Sequence, residues 1–313
     1  MTHNKALLAI HLGALMFGLS GIFGKLANTT PWAIVGGRAI FAVAALALFA
    51  QLFNNRQTHR PNLRQLAMLA LGGLLLGSHW LTFFESVKIS GVAIATLGFA
   101  SFPAFTVLLE GLLFRERTRP LEFAMVGVVC LGLILVTPSF DLANQATAGL
   151  LWAILSGLLF ALLSLLNRAS TRGIDPVQAA LCQNLTVLLC FLPFAWSTLP
   201  SIRALDWLWL AMLGIFCTGL AHSLFVAALR VIKARSAAVI FALEPVYGIG
   251  FAWWLFNEVP TLRMLAGGAL IVLAIFVSAR MALGSKPLAR LRHRGARYDR
   301  GRAPGRSGRA DAA

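Results

Sequence analysis

Ten long apolar stretches follow one another along this chain, and they leave few folds open to it. They fall at 6–26, 31–53, 65–85, 91–113, 121–137, 148–167, 176–196, 206–229, 236–256 and 261–282. A helix rising about 1.5 Å per residue needs about 20 mostly apolar residues to cross the hydrocarbon of a bilayer, and each run is of that order. The breaks carry turn chemistry, as in Asn28-Thr29-Thr30-Pro31, Asn54-Asn55-Arg56, Arg119-Pro120, Thr137-Pro138 and Asp175-Pro176. Charge supply points the same way. Only 12% of the 313 residues are charged, about half of what a water-facing surface of this size uses, and mean hydropathy is +0.79. The expected fold class is therefore all-α integral membrane, with ten transmembrane helices. The first run is too long for a secretory core and has no clear small-residue cleavage site after it, so it reads as a retained helix.

Basic residues set an orientation. With both termini in the cytoplasm, Lys5, Arg56, Arg60, Arg64, Arg115, Arg117, Arg119, Arg168, Arg172, Arg230, Lys233 and Arg235 lie inside, with the Arg-rich tail. The outer connections keep only Lys25, Lys88, Arg203 and Arg263, a positive-inside bias that holds without the tail. The net charge of +16 thus predicts no nucleic-acid partner. Much of it sits in 284–313, a Gly-, Ala- and Pro-interleaved basic tail expected to be disordered and to meet anionic lipid headgroups.

The chain also repeats. Lys88 to Glu116 lies on Arg230 to Glu258 at a constant offset, so that Ala95 meets Ala237, Pro103 meets Pro245 and Phe114 meets Phe256. Earlier, Phe17 and Lys25 fall on Phe160 and Arg168. Two halves, 1–138 and 147–283, would hold five helices each. An odd number makes the second half enter the membrane from the opposite side, an inverted repeat around a central cavity of the kind that builds many secondary transporters.

These residues carry a resemblance. The Ala228-Leu229, Ser236-Ala237-Ala238 and Leu243-Glu244-Pro245 run, Phe256-Asn257-Glu258 and the Gly-rich helix from Gly267 resemble the EamA-type proteins of the drug/metabolite transporter superfamily. In the first half Ser86-Val87 replaces the usual Ala-Leu, while Phe102-Pro103 and Phe114-Arg115-Glu116 remain. The resemblance covers about 6–282. It implies ten helices around a cavity and export of amino acids, related metabolites or drugs across a bacterial inner membrane. A monomer or homodimer without a cofactor is expected.

Candidate site residues are those that hydrocarbon would not hold without a reason, since a charge near its centre costs about 2.5–3.5 kcal/mol on insertion scales. Glu244 lies nine residues beyond Arg235, or roughly 13 Å into its helix at 1.5 Å per residue. The adjacent Pro245 is expected to free the carbonyl of Phe241. Arg38 follows Gly36 and Gly37, and its planar fork suits a carboxylate. Together the two suggest a substrate with a carboxylate at Arg38 and an amine at Glu244. His79 and His222 sit at nearly matching places in the halves. His79 and Glu244 are candidates for proton coupling. Trp80, Tyr247, Ser20 and Asn184 complete the candidate lining, with Trp152, Asn167, Gln183 and His11 behind them. Pro103 and Pro245 are the expected hinges. Glu85, Glu110, Glu116 and Glu258 stand near helix ends, where local pairing or solvent accounts for them.

Two other functions fit parts of the pattern. Export of drugs or other cationic compounds needs only Glu244 and aromatic rings. An intramembrane enzyme would use Gly18-Leu19-Ser20-Gly21 as a serine turn, yet no acidic pair, metal cluster or phosphate loop accompanies it. The four cysteines show no metal-ligand spacing, and no metal is expected.

Overall fold

A computed structural model describes residues 2–53, 61–113, 120–139, 141, 143–170, 174–229, 240 and 243–281. The basic tail, Arg115, Glu116, Arg235 and the stretch 230–239 lie outside the described residues. Those described are helical, without strands. The helices are α1 (His3–Leu26), α2 (Pro31–Phe53), α3 (Leu63–Phe99), α4 (Phe102–Leu113), α5 (Pro120–Val136), α6 (Gln145–Ser170), α7 (Pro176–Ala195), α8 (Ala204–Gly214), α9 (Ala221–Leu229), α10 (Glu244–Phe256) and α11 (Leu262–Met281). Among the described residues six helices are long and apolar enough to cross a membrane, α8 being counted with its continuation to Leu224.

Sequence chemistry starts several of them. Asn62 caps α3 by accepting the Gln65 amide at 2.9 Å, while the Gln65 side chain accepts the Asn62 amide at 2.9 Å, a reciprocal capping box. Asp175 caps α7 by accepting from Val177 and Gln178 at 2.9 and 3.2 Å, with Pro176 at the first position, where its missing N–H costs nothing.

Three runs differ from the plain helices expected. The third and fourth apolar runs join in α3, which breaks at Gly91 (φ 84°, ψ 170°), a backbone state open to glycine at no steric cost. The fourth run breaks again at Ala100 and Ser101, before α4. The eighth run loosens between α8 and α9 into a π-helical turn, Ile215–Leu220. Proline placement also differs from expectation. Pro245 stands in the first turn of α10 and not in its interior, so its missing N–H breaks no bond within that helix; Phe241 lies outside the described residues. Pro103 holds the same place in α4.

Helices of the first half pack on helices of the second: α1 on α9 and α10, α2 on α7 and α8, α3 on α6, and α5 on α11. The main apolar cluster lies where α2, α3, α7 and α8 meet, and includes Ile34, Val35, Trp80, Phe84, Val187, Phe191, Leu210 and Leu213. The outer surface is apolar too. Leu189, Phe194, Trp196, Trp254 and Leu262 are each more than 60% exposed, which suits contact with lipid tails rather than water.

Candidate functional site

Arg38 lies within the first part of α2, 4% exposed, and its guanidinium gathers four elements. Its Nε donates to Thr218 Oγ1 at 2.8 Å and its Nη1 to Ser20 Oγ of α1 at 3.1 Å. Its Nη2 points to the Cys217 carbonyl at 3.5 Å. The plane lies over the Trp80 ring of α3, with Cζ 3.9 Å from the centroid, a stacking that arginine makes well. A buried cation is costly unless hydrogen-bonded, and these contacts meet that need with neutral groups.

The π-turn makes this possible. Thr218 Oγ1 donates to the Leu213 carbonyl, five residues back, at 3.0 Å, and so keeps its lone pairs for Arg38 Nε. The wider turn carries the Cys217 carbonyl toward the guanidinium, and π-turns of this kind concentrate at functional sites. Gly214 lets α8 approach α2: a Cβ there would lie 2.5 Å from the Arg38 carbonyl oxygen and 2.5 Å from Phe41 Cβ.

His79 stands on α3 one position before Trp80. Its Nδ1 is 2.7 Å from Ser156 Oγ and 3.2 Å from the Ser156 carbonyl. That carbonyl can only accept. Ser156 Oγ already donates its proton to the His79 carbonyl at 3.0 Å. Both facts place the ring hydrogen on Nδ1, which leaves Nε2 of the neutral ring as a bare acceptor. Phe99 and Phe160 flank the imidazole, each with its centroid 5.0 Å away.

Glu244 opens α10 beside α1. A Cβ on Gly18 would lie 3.0 Å from the Glu244 carbonyl and 3.0 Å from Tyr247 Cβ. Arg38 is within electrostatic reach of both Glu244 and His79, although neither forms an ion pair with it. The fold thus brings Arg38, Ser20, Trp80, His79 and Glu244 together.

Other candidates fall elsewhere. His222 faces the Pro176 carbonyl at the start of α7, with Asp175 near it, so it is not the spatial twin of His79. Tyr247 packs against an apolar cluster that joins α1 to Ala228 and Ile240. Asn184 is buried in α7, its Nδ2 spent on the Ala180 carbonyl at 2.8 Å and its Oδ1 without a partner. Gln183 donates to Asn167 at 2.6 Å across α6 and α7. Trp152 and His11 point outward, exposed. Ser20 lies within α1 and receives Arg38, and among the described residues no histidine hydrogen-bonds to it. Glu258 is not a locally satisfied helix-end acid, since it pairs with Lys25, far away in sequence. Thr218, Cys217 and Ser156 are not marked as site residues by the sequence. Gly214, just before the π-turn, and Gly219, within it, are the one signal of its place.

The EamA-like transporter family model matches residues 4–137 and again 147–280. The chain belongs to this family. It is therefore a membrane transporter of small molecules and not an enzyme. Relatives agree across nearly the whole length. The uncharacterized transporter YxxF of Bacillus subtilis is 22% identical over 85% of this chain and 89% of its own. An uncharacterized transporter of Archaeoglobus fulgidus is 25% identical, covering 87% of this chain and 95% of its own. The pseudopaline exporter CntI of Pseudomonas aeruginosa is 25% identical over 90% of this chain and 98% of its own. A protein crystal structure superposes with a TM-score of 0.64 over 91% of this chain and 100% of that one, at 20% identity, a likeness of fold alone.

Proposed function

We propose that this EamA-family protein is a secondary carrier that exports amino acids, or related compounds bearing a carboxylate and an amine, across the bacterial inner membrane. Transport runs by alternating access between two inverted five-helix halves, 1–138 and 147–283. Both termini face the cytoplasm, and the chain crosses the membrane ten times. The positive-inside bias supports the orientation, and the pairing of first-half with second-half helices supports a site between halves. A relative that exports pseudopaline supports the direction.

The observation that carries the substrate reading is the buried Arg38 cation, within electrostatic reach of the Glu244 carboxyl and of a histidine whose free nitrogen can only accept. A carboxylate would meet the guanidinium fork, and an ammonium would meet Glu244. Proton coupling would run through Glu244 or His79 Nε2, and Pro103 and Pro245 would mark the hinges. The test is uptake into proteoliposomes of labelled amino acids, amines and cationic dyes, with and without a pH gradient. Glu244→Gln is expected to lower uptake of zwitterions at least tenfold, the size of one lost charged hydrogen bond, and to remove its dependence on the gradient. Unchanged uptake in this variant would overturn the assignment.

The Phe83, Phe99, Phe102 and Phe160 rings clustered at His79 favour a second reading, export of flat cationic compounds. Uptake of cationic dye without amino acids in the same experiment would select it. Ser156→Ala tests the role of the imidazole. It removes both hydrogen bonds of the hydroxyl, to the ring and to the His79 carbonyl, and leaves the ring only the longer contact to the Ser156 carbonyl, so transport is expected to fall roughly fivefold. Ser156→Thr, which keeps the hydroxyl, is expected to restore it at unchanged thermal stability.

A further inference from the structure

One end of the bundle is closed by contacts that the Arg38 site does not use. Glu258, just beyond α10, reaches the break in α3, where its Oε2 accepts the Val92 and Ala93 amides at 3.0 and 3.3 Å. The same carboxylate pairs with Lys25 in the last turn of α1, and the Lys25 ammonium lies 4.7 Å from the centroid of the Phe256 ring. Val92 and Ala93 begin the short arm of α3 beyond Gly91, so their amides are the unpaired donors of a helix start, where a carboxylate is favoured. Two backbone features aim the acid there. Asn257 is left-handed (φ 54°) and turns the chain sharply after α10. Gly91 (φ 84°) leaves the space the acid fills, since a Cβ there would lie 2.9 Å from Glu258 Oε1. Beside this contact Lys88 donates to the Ala27 carbonyl, and the Asn28 amide donates to Asp206 at 2.9 Å. Ala27 is fully buried beneath them.

We propose that Lys25, Glu258 and the α3 break at Gly91 form a gate that must open for substrate to pass between Arg38 and this end of the bundle. The inference rests on alternating access as the mode of transport. Its bonds suit repeated breaking. The side chains of Lys25 and Glu258 are 32% and 18% exposed, so water replaces the lost partners at modest cost, and the joint they clamp is one residue with glycine's freedom. By the offset of the repeat Lys25 falls on Arg168, which pairs with Glu110 of α4, while Glu116, on which Glu258 falls, lies outside the described residues.

Labelling tests the gate without a known substrate. Cys130, Cys182, Cys190 and Cys217 are replaced by alanine, Ala27→Cys is introduced, and the protein is placed in lipid nanodiscs, whose two faces both admit a polar maleimide. With the gate intact, labelling is expected to be slow. Glu258→Gln is expected to speed it by about tenfold, the fold-change of one charged hydrogen bond. Gly91→Ala attacks the contact from its other side and is expected to act in the same direction, which keeps the test decisive if either variant folds poorly. Fast labelling with the gate intact, or rates unmoved by both variants, would overturn the proposal. Failure of every candidate substrate in proteoliposomes would instead count against the proposed function and leave the labelling result standing.

Discussion

Arg38→Gln is expected to lose about two orders of magnitude of transport at low substrate concentration. Truncating one member of a buried, hydrogen-bonded charged contact costs roughly 2–5 kcal/mol. Here the change removes the positive charge that the site offers a carboxylate. It also withdraws the donors to Thr218, Ser20 and the Cys217 carbonyl. Glutamine keeps some donors and little of the reach, so folding is expected to survive, as a single monodisperse peak on size exclusion would show. Arg38→Lys separates charge from geometry. An ammonium restores the charge but cannot stack on Trp80 while donating to two hydroxyls in one plane, so transport is expected to stay at least tenfold low. Full activity in the lysine variant would reduce the site to a point charge, for which the π-turn and its Thr218 hydroxyl would be dispensable.

Gly214→Leu is expected to have the largest effect on stability. Even a first Cβ would lie 2.5 Å from the Arg38 carbonyl and 2.8 Å from the Ala42 amide, both backbone atoms that no rotamer change can move aside. α8 must then draw back from α2. Overpacking of this kind costs roughly 1–3 kcal/mol, and the displacement pulls Thr218 from the guanidinium. A lower melting temperature in detergent, with transport lost even where protein remains folded, is the expected pair of results. Gly127 is the control: a Cβ there meets nothing within 4 Å, so Gly127→Leu is expected to leave both quantities unchanged. If Gly214→Leu behaves the same way, the close α2–α8 approach is not what holds Arg38 in place.

The residues that stand out in the sequence do so through cost. Arg38, His79 and Glu244 lie in apolar runs where hydrocarbon penalises them, and the fold brings all three to one place. His222 stands out equally and goes elsewhere, because register within a run says nothing of which neighbour a helix turns toward. Glu258 misleads for a related reason. Near a helix end an acid looks locally satisfied, and nothing in the order of residues shows that the chain after Asn257 doubles back onto the break at Gly91.

From the order of residues alone came the solvent and the class. Lipid is the only medium in which so many apolar runs with so few charges are stable, and helices are the structures that satisfy every backbone group within such runs. The internal repeat followed from shared Pro and Glu at a constant offset, and the resemblance to the family from the Leu243-Glu244-Pro245 and Phe256-Asn257-Glu258 motifs. Tertiary structure decided the partners: Thr218 and Cys217 for Arg38, Ser156 for His79, and two backbone amides for Glu258. Each is a contact between helices far apart in the chain. A helical period records which side chains share a face; only packing decides what that face meets.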